Sequence, residues 1–160
     1  MIEQLKSKAF YHMRSLMQLD LRYNAIRCIH RFTFAGLSAL TLLRLLGNPL
    51  QIVHERGFID LCNLVILNLN SLNLVYLDKD AFRGLLNLQT LNLSGNPSLS
   101  IQENTIYSLK SMVRFESDDT LLCCRLDFVK YCYPQPLQWK CHVQVLSGNV
   151  SEIAIFVMFA

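Results

Sequence analysis

The chain has 160 residues, with 15 lysines and arginines against 12 aspartates and glutamates, for a net charge of +3. The two signs are interspersed and form no basic stripe, so the charge describes an ordinary solvated surface and gives no reason to expect nucleic acid. No G-x-S-x-G, H-E-x-x-H or Gly-rich phosphate loop occurs, so neither a catalytic site nor a cofactor is expected.

Residues 1–15 carry half of a pattern: Leu5, Phe10 and Met13. From residue 16 the pattern is complete, as Leu16-x-x-Leu19-x-Leu21-x-x-Asn24-x-Ile26-x-x-Ile29-x-x-x-x-Phe34-x-x-Leu37. A shift of 24 residues finds Leu40, Leu43, Leu45, Asn48, Leu50, Val53, Phe58 and Leu61. The next shift finds Leu64, Leu67, Leu69, Leu74, Leu77, Phe82 and Leu85, and the next Leu88, Leu91, Leu93, Asn96, Ile101, Ile106 and Leu109. A degenerate fifth copy starts at Met112 and contains Phe115. Composition alone supplies single matches, not four copies in register.

This period resembles that of leucine-rich repeats, and repeats of this length imply a solenoid. The expected fold is α/β: a curved parallel sheet, an irregular convex side and a disulfide-capped C-terminal hinge. Leu19 and Leu21 alternate with polar Gln18, Asp20 and Arg22, the mark of a strand with one buried face. Strands are therefore expected around 19–21, 43–45, 67–69 and 91–93, with a weaker fifth near 115. One repeat cannot bury its leucines alone, whereas stacked repeats share a core. Twenty-four residues leave little room for a helix, so the convex connections should be irregular or short 3₁₀ turns.

Asn24, Asn48 and Asn96 fall where the chain leaves each strand, and a buried Asn there can bond its own turn and the neighbouring one as a ladder. Asn24 and Asn48 are expected to be buried. Leu72 takes the third ladder position, which predicts strain or looseness between the second and fourth repeats. Phe34, Phe58 and Phe82 form a second column, begun by Phe10 and ended by Ile106. His30 and His54 are 24 apart and so share one surface position, which argues against a catalytic pair.

The domain reading is repeats over 1–111 (a partial repeat 1–15, then four repeats of 24 from residue 16), a degenerate strand and Cys-rich hinge over 112–147, and the start of a transmembrane helix over 148–160. Met1 falls in mid-repeat with no polar, cysteine-containing cap before it. Residues 1–20 carry Glu3, Lys6, Lys8, Arg14 and Asp20 and no apolar core of a signal peptide. This reads as a piece of a longer protein, with a naturally short protein as the alternative. Residues 153–160, Ile-Ala-Ile-Phe-Val-Met-Phe-Ala, are read as the beginning of a membrane helix, with a buried strand of a cap as the alternative.

Cys28 and Cys62 lie singly in the repeats and are expected to be free, partly buried thiols. Cys123, Cys124, Cys132 and Cys141 cluster after the last repeat, which suggests a disulfide-stapled cap formed in an oxidising compartment. Two connectivities remain open: 123–132 with 124–141, or 123–141 with 124–132. The spacing lacks paired C-x-x-C motifs, so no metal site is expected. Asn92-Leu93-Ser94 and Asn149-Val150-Ser151 are glycosylation sequons. Asn149 is the expected acceptor, since Asn92 projects onto the concave face.

Three concave columns face solvent: Gln18, Leu42, Ile66, Thr90, Arg114; Asp20, Arg44, Asn68, Asn92, Glu116; and Arg22, Leu46, Asn70, Ser94, Asp118. Leu42, Leu46 and Ile66 make an apolar patch flanked by Asp20, Arg22 and Arg44. Exposed apolar residues rimmed by charge are a candidate site for a peptide or protein ligand.

Residues 112–160 add Phe115-Glu116-Ser117-Asp118-Asp119, then Leu121-Leu122-Cys123-Cys124, Cys132-Tyr133-Pro134, Cys141 and Leu146. This run resembles the hinge of the leucine-rich-repeat-containing G-protein-coupled receptors, the group of the glycoprotein-hormone and relaxin receptors. The resemblance covers about 45 residues and implies that the first transmembrane helix follows. It departs at Trp139-Lys140 before Cys141 and at His142-Val143-Gln144 after it. It implies a receptor ectodomain segment on the extracellular side of the plasma membrane, meeting the membrane through its C-terminal segment. A G protein would be reached only through a seven-helix domain not contained in these residues. The alternative is an adhesion or decoy protein of the same repeats.

Overall fold

The computed structural model describes residues 1–134. In chain order its elements are β1 (Gln18–Asp20), β2 (Cys28–Ile29), β3 (Leu42–Arg44), β4 (Ile52–Val53), β5 (Ile66–Asn68), β6 (Tyr76–Leu77), β7 (Thr90–Asn92), α1 (Glu103–Tyr107), β8 (Arg114–Glu116), a 3₁₀ turn (Leu122–Cys124) and β9 (Tyr131–Tyr133). The concave sheet is six-stranded and parallel, in the order β1-β3-β5-β7-β8-β9. The fold is a leucine-rich-repeat solenoid.

The strands start one residue earlier than the leucine alternation predicts. The third leucine of each set is already leaving the strand for the Asn turn, although the Leu21 N–H still donates to the Arg44 carbonyl at 2.9 Å. A second, three-stranded sheet of two-residue strands, β2-β4-β6, lines the other side and was not expected. Its rungs come from Ile29, Val53 and Leu77, each buried, with Cys28, Ile52 and Tyr76 beside them. The connections that follow are turns, and the fourth repeat holds the short helix α1.

Core packing follows the repeat. The Phe10, Phe34, Phe58 and Phe82 rings stack at centroid distances of 6.1, 5.9 and 6.0 Å, and Ile106 continues the column, fully buried. Burial of Phe34, Phe58 and Phe82 contributes roughly 1.5–3 kcal/mol each, and each stacked pair adds about 0.5–1.5 kcal/mol. Neighbouring repeats therefore hold one another more than any repeat holds itself.

The Asn ladder reaches backward. Asn48 Oδ1 accepts from the Ile26 N–H at 3.1 Å, while its Nδ2 donates to the Leu21 and Leu45 carbonyls at 2.8 and 2.7 Å. Asn96 Oδ1 accepts from the Leu72 and Leu74 N–H groups, and its Nδ2 donates to the Leu69 and Leu93 carbonyls. Asn24 accepts from the Ile2 N–H at 2.8 Å and is half-buried, not buried as expected, because only the irregular residues 1–15 lie over it.

Leu72 is fully buried. Because each Asn serves the turn before its own, the defect falls between the second and third repeats, while the junction of the third and fourth is intact. There the Leu50 N–H lacks the side-chain oxygen that Ile26 and Leu74 use. The β3–β5 register ends at Leu43↔Leu67, one pair short of β1–β3 and β5–β7. Leu21 bonds Arg44 and Tyr23 bonds Leu46; Leu69 bonds Asn92 and Ser71 bonds Ser94. Among the described residues, the equivalent Leu45–Asn68 and Gly47–Asn70 bonds are not made.

A further ladder runs at the opposite end of the repeat. Asn63 Nδ2 donates to the Ser38 carbonyl, Asn87 Nδ2 to that of Cys62 and Ser111 Oγ to that of Leu86, at 2.7, 2.8 and 2.7 Å. Ala39 holds the corresponding position of the first repeat and has no side-chain polar group to contribute.

Candidate ligand-binding surface

The parallel register places Gln18, Leu42, Ile66, Thr90 and Arg114 side by side across the sheet, and likewise Asp20, Arg44, Asn92 and Glu116 with Asn68 between them. Leu46 and Ile66 are 42% and 51% exposed, although both are large and apolar, and Leu42 is half-buried between them. Arg22, Leu42, Arg44, Leu46 and Ile66 line a concave depression of about 300 Å³, with Asn68 on its far wall. Asp20 does not line it and acts through Arg22.

The charges are unevenly committed. The Arg22 guanidinium grips Asp20 at both oxygens: Nε lies 3.0 Å from each and Nη2 is 2.7 Å from Oδ2. These bonds hold the Asp20 carboxyl below the usual carboxylate range and push Arg22 up. Arg44 reaches Asp20 only at 4.0 Å and donates no hydrogen bond among the described residues. Asp20 Oδ1 also accepts the Arg22 N–H at 3.1 Å, closing a local turn. Asn68 does the same for Asn70 at 3.0 Å and Asn92 for Ser94 at 2.9 Å.

The other end of the face is self-satisfied. Glu116 accepts from Asn92 Nδ2 at 2.6 Å and from Arg114 Nε at 2.7 Å. Asp118 accepts the Gly95 and Asn96 N–H groups at 2.9 and 2.8 Å. The Asn92 side chain is thus held between Glu116 and Ser94, whose Oγ donates to its Oδ1 at 2.7 Å. Beyond lies β9, which sequence reasoning missed. It sets Tyr131 beside Arg114 and Tyr133 beside Glu116, extending two of the columns with exposed tyrosines. The signal lost there is the period: Phe115 is followed by Cys132, not by a residue 24 further on.

Cys123 is bonded to Cys132, so the disulfide ties β9 to the 3₁₀ turn that follows β8. Cys124 is also disulfide-bonded. Cys28 and Cys62 are free and half-buried. Cys141, Asn149 and the expected membrane segment 148–160 lie outside the described residues. Among the described residues no helix is long and apolar enough to cross a membrane, and no group of three or more His, Cys, Asp or Glu residues could hold a metal ion.

Two features lie off the concave face. His30 and His54 stack at 5.0 Å, as equivalent positions of successive repeats do. A depression of about 420 Å³ is lined by Tyr11, Gly36, Asp60, Gly84 and Leu86 among others. A Cβ on Gly36 would meet the Tyr11 carbonyl oxygen at 2.5 Å.

A family model of the leucine-rich repeat matches residues 1–50 and again 51–115, and the chain belongs to that family. A search of curated proteins returned no match. The family and the solenoid define a scaffold of the kind that binds protein ligands, and the described residues show no arrangement suited to catalysis.

Proposed function

We propose that this chain is a segment of the ectodomain of a plasma-membrane receptor of the leucine-rich-repeat G-protein-coupled type, and that its concave face binds a peptide or protein ligand on the extracellular side. The observation that carries the reading is the depression of Arg22, Leu42, Arg44, Leu46 and Ile66, an apolar floor with a cationic rim on the parallel sheet. The bond between Cys123 and Cys132 is consistent with an oxidising compartment. The run Cys123-Cys124, Cys132-Tyr133-Pro134, Cys141 supports the receptor type through its resemblance to that family's hinge.

The contiguous transcript tests the receptor type. Several further apolar stretches of roughly 20 residues support it, whereas a single stretch before a stop favours the adhesion or decoy alternative. The ligand site is tested in the cell-surface protein with Leu42→Asp and Arg44→Glu. Loss of ligand response at unchanged surface level is expected, because central anchors of a patch each carry about 2 kcal/mol or more. A full response from the double variant would place the site elsewhere.

A further inference from the structure

The column Asp20, Arg44, Asn68, Asn92 is interrupted at one place. In three repeats the side-chain oxygen accepts the N–H two residues on, from Arg22, Asn70 and Ser94, at 3.1, 3.0 and 2.9 Å. Arg44 has only donors and cannot close this turn. Among the described residues the Leu46 N–H therefore has no acceptor, and Arg44 donates to none. Both groups border the concave depression, at the junction where the Leu45–Asn68 and Gly47–Asn70 rungs are missing. The following Gly47, at φ +76°, lies against the Tyr23 ring.

The polar side-chain atoms left uncommitted in the depression are donors. Arg22 spends its carboxylate partner on itself, Asn68 Oδ1 is used by Asn70, and the Asn68 amide nitrogen remains to donate. No side-chain carboxylate lines the depression. Its floor is Leu42, Leu46 and Ile66, and an occupant must supply acceptors and apolar surface together.

We propose that this depression takes an acidic–apolar segment of a peptide or protein: its carboxylate stands where an Asp or Asn side chain stands in the other repeats, accepting from the Arg44 guanidinium and the Leu46 N–H, while an adjacent large apolar side chain covers Leu42 and Ile66. A charge-assisted pair of donors held on a sheet is a strong carboxylate site. The proposal rests on the concave-face reading above and sharpens it to the chemistry of the ligand.

The test is panning of a random dodecapeptide phage library on the full 160-residue oxidised chain, followed by binding and amide exchange with the synthesised winners. The expected winners carry Asp or Glu next to Leu, Ile or Phe. Arg44→Asn, which supplies the internal acceptor and leaves the fold intact, weakens them by about tenfold or more. The Leu46 amide, exchanging freely in the wild-type chain, becomes protected by the peptide and is already protected in Arg44→Asn. Winners that are basic, or that bind Arg44→Asn as well as the parent while losing affinity for Leu42→Asp, overturn the carboxylate site but leave the concave-face reading standing. No winners, or winners indifferent to Leu42→Asp and Ile66→Asp, overturn both.

Discussion

The junction between the first and second repeats and the junction between the second and third have the same strands, the same leucines and the same stacked phenylalanines, yet only the first keeps its full set of rungs. Asn48 stitches the first through two side-chain hydrogen bonds, to the Ile26 N–H and the Leu21 carbonyl. Leu72 stitches nothing at the second, and the strand pairing stops one residue short. The outer rung is present at the junction that has its amide and absent at the one that lacks it, while the rings stack alike at both. The weaker junction is also where the concave face is hollow.

The comparison breaks most severely if the ring column is cut. Phe58→Ala removes a buried ring stacked on both sides and should lower stability by about 3–5 kcal/mol. Denaturant unfolding of Phe58→Ala beside Phe34→Ala is the check. A far smaller loss for Phe58 would mean that the defective junction is loose in its core as well as in its ladder.

Next in size is the ladder itself. Asn48→Ala leaves the Ile26 N–H and the Leu21 carbonyl without that partner and should cost about 1–3 kcal/mol, read from the midpoint of thermal or urea unfolding. A change of only a few tenths would show the ladder to be dispensable.

Leu72→Asn should make the two junctions alike. The recovered bonds offset the lost leucine burial, so stability should stay within about 1 kcal/mol of the parent. The sharper readout is hydrogen exchange, which should slow at the Leu50 amide. A fall of several degrees in melting temperature would remove Leu72 from the ladder position.

The smallest effect is on titration. The Arg22 hydrogen bonds hold the Asp20 carboxyl below its ordinary value of 3.8. Its contribution to stability is present above that ordinary value and is lost as pH falls through the lowered one. NMR titration should give an Asp20 midpoint under 3.8 in the parent and a higher one in Arg22→Ala, which loses the guanidinium bonds but keeps the backbone N–H of residue 22. Equal midpoints would show that the pair does not persist in solution.

Periodic features were legible because a repeat writes the same residue at the same interval. The strands, the Phe column and the backbone bend at each Asn all follow from the 24-residue spacing. Three features were not. Strand β9 comes 17 residues after β8 (Phe115↔Cys132), so no search at the repeat length finds it. The β2-β4-β6 sheet is written in pairs of residues too short to show alternation. The Asn63, Asn87 and Ser111 ladder mixes amides with a hydroxyl, which hides a common role behind different letters. Within the candidate site, the apolar patch could be read from the columns. The idle Leu46 N–H could not, because it shows only when three neighbouring repeats are seen to satisfy theirs.

The staple at the end of the sheet also sets a path for force. A tether pulling on Pro134 would load β9 along its length, and hydrogen bonds to β8 would be sheared in parallel. The Cys123–Cys132 bond bypasses them and passes the tension to the 3₁₀ turn at Leu122–Cys124. A load applied there is taken up at the end of the repeat stack rather than by peeling its edge strand.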